Sequence, residues 1–227
     1  MKEKASPYLA MALLAFMILG LEMIILFIES LFYGTMDLFG LLEKRGIYPL
    51  LIHWGLTCAV WITGAWVLHL WAKKRGFNIF ENKFKAPVIN WIIVCALFAI
   101  SVVSSYIVWD MRFKPIAEFT GMFNLVGNQA VFTFIAQYIY YLFESVLYLA
   151  IIIFGQKYGE LVLKKDKVPW GGILCGLTWG LVHTLTQGSL IVGLYSAISA
   201  LIFGIVYILL KKNIRYAYPV IALMFML

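Results

Sequence analysis

Charge is scarce in this sequence. Asp, Glu, Lys and Arg make up 13% of its 227 residues, about half the share found in soluble domains. Apolar residues make up 63% and aromatics 17%. A chain of this size cannot hide that much apolar surface in one water-soluble core, so an ordinary soluble domain and a disordered chain are both excluded. Cysteine is scarce too. Cys58, Cys95 and Cys175 each lie inside an apolar stretch, are odd in number and show no C-x-x-C spacing. They read as free thiols packed as small apolar side chains, which excludes a disulfide scaffold. HExxH, GxSxG, a Walker loop and a His/Cys cluster with metal spacing are all missing, which excludes a conventional zinc-protease helix and gives no sign of a serine-hydrolase or nucleotide-binding loop. The net charge is +7. The basic residues nevertheless form no stripe interleaved with exposed aromatics, so nucleic acid is not an expected partner.

What is present is a series of apolar runs, and the expected fold is an all-α, polytopic transmembrane bundle. A crossing needs about 20 mostly apolar residues. Runs that meet or approach this are Pro7–Gly34, Pro49–Trp71, Val88–Trp109, Gln129–Phe154, Pro169–Thr186, Ser189–Leu210 and the short Tyr216–Leu227. The first is too long for a signal peptide and is followed by no A-x-A-like site, so it reads as a retained transmembrane helix. No lipidation motif stands at either end. Lys and Arg distribute unevenly among the connections. Fourteen lie at the N-terminus and in the second, fourth and sixth loops, against four in the first, third and fifth. The positive-inside rule then places the N-terminus in the cytoplasm and makes about seven spans. The expected setting is a bacterial or archaeal cytoplasmic membrane, with the bilayer as the first partner. No composition shift marks a soluble domain. Residues 1–128 carry three helices and their loops, and residues 129–227 the remaining core of the same membrane domain.

Two runs carry small residues at helical spacing. Gly172, Gly176 and Gly180 line one face of the fifth span, and Gly193, Ala197, Ala200 and Gly204 one face of the sixth. Small residues let backbones approach closely, so these two helices are expected to be core elements of the bundle.

Ionisable groups inside a span are costly and usually face the bundle interior. Glu22, Glu29 and Glu144 qualify. Glu22 and Glu29 are seven residues apart and share a face of the first span, where neighbouring hydroxyls or interfacial water would satisfy them. Asp110 reads as part of an interfacial cluster with Arg112 and Lys114. Gln137, Tyr141, Glu144 and Tyr148 are spaced 4, 3 and 4 and form a polar stripe along the fourth span. This stripe is either a structural hydrogen-bonding seam or part of a binding or catalytic site. Trp179, His183 and Thr186 share a face of the fifth span. His53 and His69 are 16 residues apart, on nearly opposite faces of the second span, and cannot both point at one metal.

From about Gln129 to Leu227 the chain resembles the CPBP family of intramembrane proteins (the CAAX prenyl protease and bacteriocin-processing family, also called Abi). That family is marked by EExxxR, FxxxH and HxxxN on successive spans. Phe143-Glu144-Ser145 through Tyr148 stands where EExxxR would, with Phe143 for the first Glu and Tyr148 for the Arg. Trp179-Gly180-Leu181-Val182-His183 stands where FxxxH would, with Trp for Phe, and Leu223 and Leu227 replace the last His and Asn.

The resemblance implies a hydrolytic centre in which Glu144 and His183 are the surviving catalytic and metal-binding groups. A catalytic zinc takes three protein ligands and a water, and these two residues supply two at most. The leading expectation is therefore a non-catalytic relative that needs no cofactor. It would hold a membrane protein, a peptide or a lipid-linked substrate in a cavity lined by Gln137, Tyr141, Tyr148, Trp179 and Thr186. One alternative is an active, zinc-dependent intramembrane endopeptidase using Glu144 and His183. The other is a small transporter or substrate-capture subunit.

Overall fold

The computed structural model describes residues 4–81 and 84–227, so Lys2 and Lys83, both counted in the charge distribution, lie outside the described residues. The described residues form ten α-helices and two short helical turns, with no strand. The long helices are α1 (Ser6–Tyr33), α3 (Tyr48–Lys74), α4 (Val88–Val108), α6 (Ala130–Leu163) and α9 (Leu190–Leu209). Between them lie α2 (Leu38–Arg45), α5 (Lys114–Val126), α7 (Trp170–Cys175) and α8 (Leu181–Thr186), and α10 (Ile214–Met226) ends the chain. Five helical stretches are long and apolar enough to cross a membrane: α1, α3, α4, the continuous Lys114–Leu163 stretch and α9.

Prolines punctuate this order. Pro7, Pro49 and Pro115 sit in the first turns of α1, α3 and α5, where an amide hydrogen has no helical acceptor to lose, and Pro87 caps α4. Pro219 alone falls inside a helix, the short α10. Gly34 ends α1 at φ 76, a left-handed conformation that leaves its N–H on Ser30 O at 2.7 Å. Gly127, at φ 56, turns the chain from α5 into α6.

Helix α6 is the axis. It packs against α1, α3, α5, α7, α9 and α10, and Leu147, Tyr148, Leu149, Ile151, Ile152, Ile153 and Phe154 are all buried. A helix apolar on every side is stable only when surrounded. Helix α4 is its opposite: Ile92, Ile100, Val103 and Ile107 are exposed, and such a face needs lipid or a partner against it. A single apolar cluster joins Tyr8 and Met11 of α1 to Trp61, Phe154, Phe203 and Ile221, so both halves of the chain share one core.

The two glycine-lined faces pack against each other. A Cβ added at Gly172 would lie 2.9 Å from Ala200 O and from Gly204 Cα, one at Gly176 2.9 Å from Ala197 O, and one at Gly180 2.6 Å from Ala197 Cα. On the other side of α7, Gly171 presses on Ile152 O, and a Cβ at Gly155 would stand 3.2 Å from Gly171 Cα. α7 is thus clasped between α6 and α9 by backbone contact.

The structure differs from the sequence reading in the first connection, which holds the helix α2, and farther along the chain. α6 runs nine residues beyond Phe154, because Gln156 and Gly159 are buried against α7 and prolong the helix. The third connection is a helix, α5, folded back on the first turns of α6. Most consequentially, Lys114 is no loop cation beside Asp110 and Arg112. It is buried, its Nζ donates to Phe225 O at 2.8 Å, and it stands 4.6 Å and 4.5 Å from the ring centres of Tyr141 and Phe225.

The candidate site at Glu144, Trp179 and His183

The polar stripe on α6 finds its partners on other helices. Gln137 and Tyr141 bond each other at 2.6 Å, and Tyr141 O–H donates to Glu118 Oε1 at 2.7 Å. Tyr138 O–H donates to Glu118 Oε2 at 3.0 Å. Glu118, on α5, therefore collects the first half of the stripe. The sequence reading places α5 among the connections and leaves Glu118 without a role. Its signal was present: Ile116, Phe119, Met122 and Phe123 recur at helical spacing beside Lys114 and Glu118.

Farther along, Glu144 Oε1 accepts the indole N–H of Trp179 at 2.9 Å. The Trp179 carbonyl accepts His183 Nδ1–H at 2.7 Å, and the His183 and Trp179 rings meet edge to face at 4.7 Å. The donor role of Nδ1 follows from its carbonyl partner and leaves Nε2 with the lone pair. Trp179 thus stands between Glu144 and His183 and touches both. A π-helical turn, Gly176–Gly180, puts it there. One extra residue per turn rotates everything after it, a common device where a side chain must be aimed. Thr186, beyond that turn, is exposed at the end of α8.

Tyr148 is fully buried. Its ring lies 5.0 Å from Trp179, 5.6 Å from Phe203 and 5.4 Å from Phe225, and its hydroxyl donates to Ile221 O at 3.4 Å. Aromatic rings fill the space beside Glu144. Lys114 is within electrostatic range of both Glu118 and Glu144. A cleft of about 120 Å³ lies at the other end of the bundle. Phe77, Gln156, Lys157, Glu160, Tyr207 and Lys212 are among its walls, and none of the expected cavity residues is.

A second polar group joins α1, α3 and α6. His53 Nδ1 lies 2.6 Å from Glu29 Oε2 and its Nε2 3.4 Å from Glu22 Oε1, while Tyr140 O–H donates to Glu22 Oε1 at 2.7 Å. Both carboxylates meet the His53 imidazole, and Glu22 also accepts from a neighbouring hydroxyl, that of Tyr140. His69 points elsewhere, against Trp66 and Phe80. The three cysteines are free.

The donor set does not suit a catalytic zinc. Glu144 Oε1 holds an indole N–H and His183 Nδ1 holds a carbonyl, which leaves one carboxylate oxygen and one imidazole nitrogen. Among the described residues no three His, Cys, Asp or Glu side chains stand where they could hold one metal ion.

The fold and this site define a multi-pass α-helical membrane protein. The chain matches no family model, no curated protein and no solved structure.

Proposed function

We propose that the chain is a CPBP-like membrane protein that carries out no hydrolysis and holds a membrane partner: a membrane protein, a peptide or a lipid-linked molecule. The observation that carries this reading is Trp179. On the CPBP resemblance, Glu144 and His183 would flank an activated water. Here an indole stands between them and saturates one oxygen of the carboxylate. A general base must reach the proton it removes, and this carboxylate is turned to a tryptophan instead. Partner binding at the site exchanges the indole N–H for a donor on the partner, with the Tyr148, Phe203 and Phe225 rings as the apolar wall.

The same reading assigns seven crossings in a bacterial or archaeal cytoplasmic membrane, with the N-terminus inside. Contacts between Lys157 and Tyr8, Asn90 and Leu209, and Lys212 and Glu160 gather the most basic loops at one end of the bundle. Those loops favour the cytoplasmic face.

The test combines metal analysis with partner capture. Protein purified from native membranes is expected to carry zinc far below one per chain, and E144Q and H183A to leave peptide processing in the host unchanged. A photo-crosslinking residue at the exposed Leu185 is expected to capture one membrane partner, with the yield changed by W179A. Stoichiometric zinc that disappears in H183A would overturn the proposal in favour of an intramembrane endopeptidase. Unaltered capture in W179A would remove Trp179 from the binding step.

A further inference from the structure

The Glu22–His53–Glu29 group shares no residue with the Glu144 site, and its hydrogen-bond arithmetic is unusual. Both imidazole nitrogens face carboxylate oxygens. An ionised carboxylate only accepts, and a neutral imidazole has one N–H. Both contacts can therefore be hydrogen bonds only when the three groups together carry a second proton, either on the ring or on a carboxyl. The group is built around a proton that can come and go.

Its accessibility is graded. The side chains of His53 and Glu29 are 2% and 9% exposed, whereas that of Glu22 is 28% exposed. The second oxygen of Glu29, Oε1, is buried without a partner, and so is Thr57 Oγ1, one helical turn from His53 on the same face of α3. Trp61 Nε1, a further turn along, is buried and unpartnered as well. Buried polar atoms nearly always bond protein or ordered water. Thr57 Oγ1 and Trp61 Nε1 continue the polar row along α3 from His53.

We propose that Glu22, His53 and Glu29 form a proton-transfer site between α1 and α3, with Glu22 as its port and Tyr140 of α6 as its anchor. A proton on Glu22 Oε1 passes to His53 Nε2 while Nδ1 gives its own proton to Glu29 Oε2. The O–H bond of Glu22 and the Nδ1–H bond break, and an Nε2–H bond and an O–H bond on Glu29 form. The imidazole ends as its other tautomer, Glu22 is left ionised and Glu29 neutral, and the net charge of the group is unchanged. Histidine suits this role because its two nitrogens are separate proton positions. The groups that face the site are Glu22 and Glu29 from α1, and Tyr140 from α6, with Glu144 of α6 in electrostatic range of Glu22. Cys58 on α3 also lies within electrostatic range of Glu22. The remaining helix packed on α3, α2, keeps Lys44 and Arg45 exposed.

The chain has only three histidines, so the site is directly observable. Full-length protein labelled with 15N-histidine in lipid nanodiscs is titrated between about pH 5 and 8, with His53 assigned by comparison with H69Q and H183Q. In the wild type the two His53 ring nitrogens are expected to show shifts averaged between tautomers and to move with pH. In E22Q, which removes the port, they are expected to settle into one fixed Nδ1–H tautomer without pH response. A fixed, pH-independent ring in the wild type would overturn the proposal, as would an identical response in E22Q. Should E22Q fail to fold, the wild-type titration decides alone.

Discussion

Trp179 illustrates how much one side chain can settle. Its indole N–H is the donor on Glu144, its carbonyl the acceptor for His183, and its ring packs on Tyr148, His183 and Phe225. Phenylalanine would keep most of the packing and remove only the donor. A half-buried carboxylate would then lose a charge-assisted hydrogen bond, at a cost of about 1–3 kcal/mol. W179F is accordingly expected to lower thermal stability in detergent. The double variant W179F/E144Q should lose less than the sum of the two single changes, because the single variants each remove the same bond. Strict additivity in a thermal-unfolding cycle would show that the bond contributes nothing. Gln156 has a similar position at the opposite end of the bundle. It is fully buried and bonds Glu160, Val168 O and Gly171 N–H, which ties α6 to the start of α7.

At the scale of the helices, stability rests on close backbone approach rather than on apolar burial alone. Lipid tails are as apolar as leucine, so helix association in a bilayer depends on fit. The α7–α9 interface shows that fit at Gly172, Gly176 and Gly180, where any Cβ would meet backbone atoms of the neighbour. Gly20, in contrast, has nothing within 4 Å of its would-be Cβ. G180A is expected to destabilise the protein by about 1–3 kcal/mol through overpacking. G20A, in the middle of α1, should be neutral or stabilising by up to about 1 kcal/mol through helix propensity. Unfolding in mixed micelles compares the two, and equal effects would contradict the close packing. The buried Lys114 acts at this scale too. It fastens the first turn of α5 to the last turn of α10 through Phe225 O, and Tyr138 O–H reaches Met226 O at 3.3 Å beside it.

For the molecule as a whole, the decisive quantity is which end faces the cytoplasm. Helices α2 and α5 pack together at one end, while the Lys164–Lys167 loop lies at the other. With the native Cys58 and Cys95 replaced by serine and the buried Cys175 kept, cysteines introduced at Met36 and Lys165, both exposed, separate the two orientations. Impermeant maleimide added to intact cells is expected to label M36C and to reach K165C only after lysis. The reverse pattern would invert the assigned topology.

The amino-acid sequence by itself determined the class of protein and the position of most helices. Excess apolar composition, run length and proline placement are local properties, and they hold wherever the helices finally pack. It also marked the two glycine-lined runs as core elements, because glycines four residues apart allow close approach from whichever side a neighbour comes, while their packing on each other came from the tertiary structure. Only the tertiary structure decided which polar groups meet. His53 lies 24 residues from Glu29 and 31 from Glu22, and no spacing rule pairs side chains across helices whose rotation and depth are unknown. Glu118 has no role in the sequence reading, and Lys114 is placed at the interface there, because α5 is too short to cross a bilayer and its helical pattern does not say which helix it packs on.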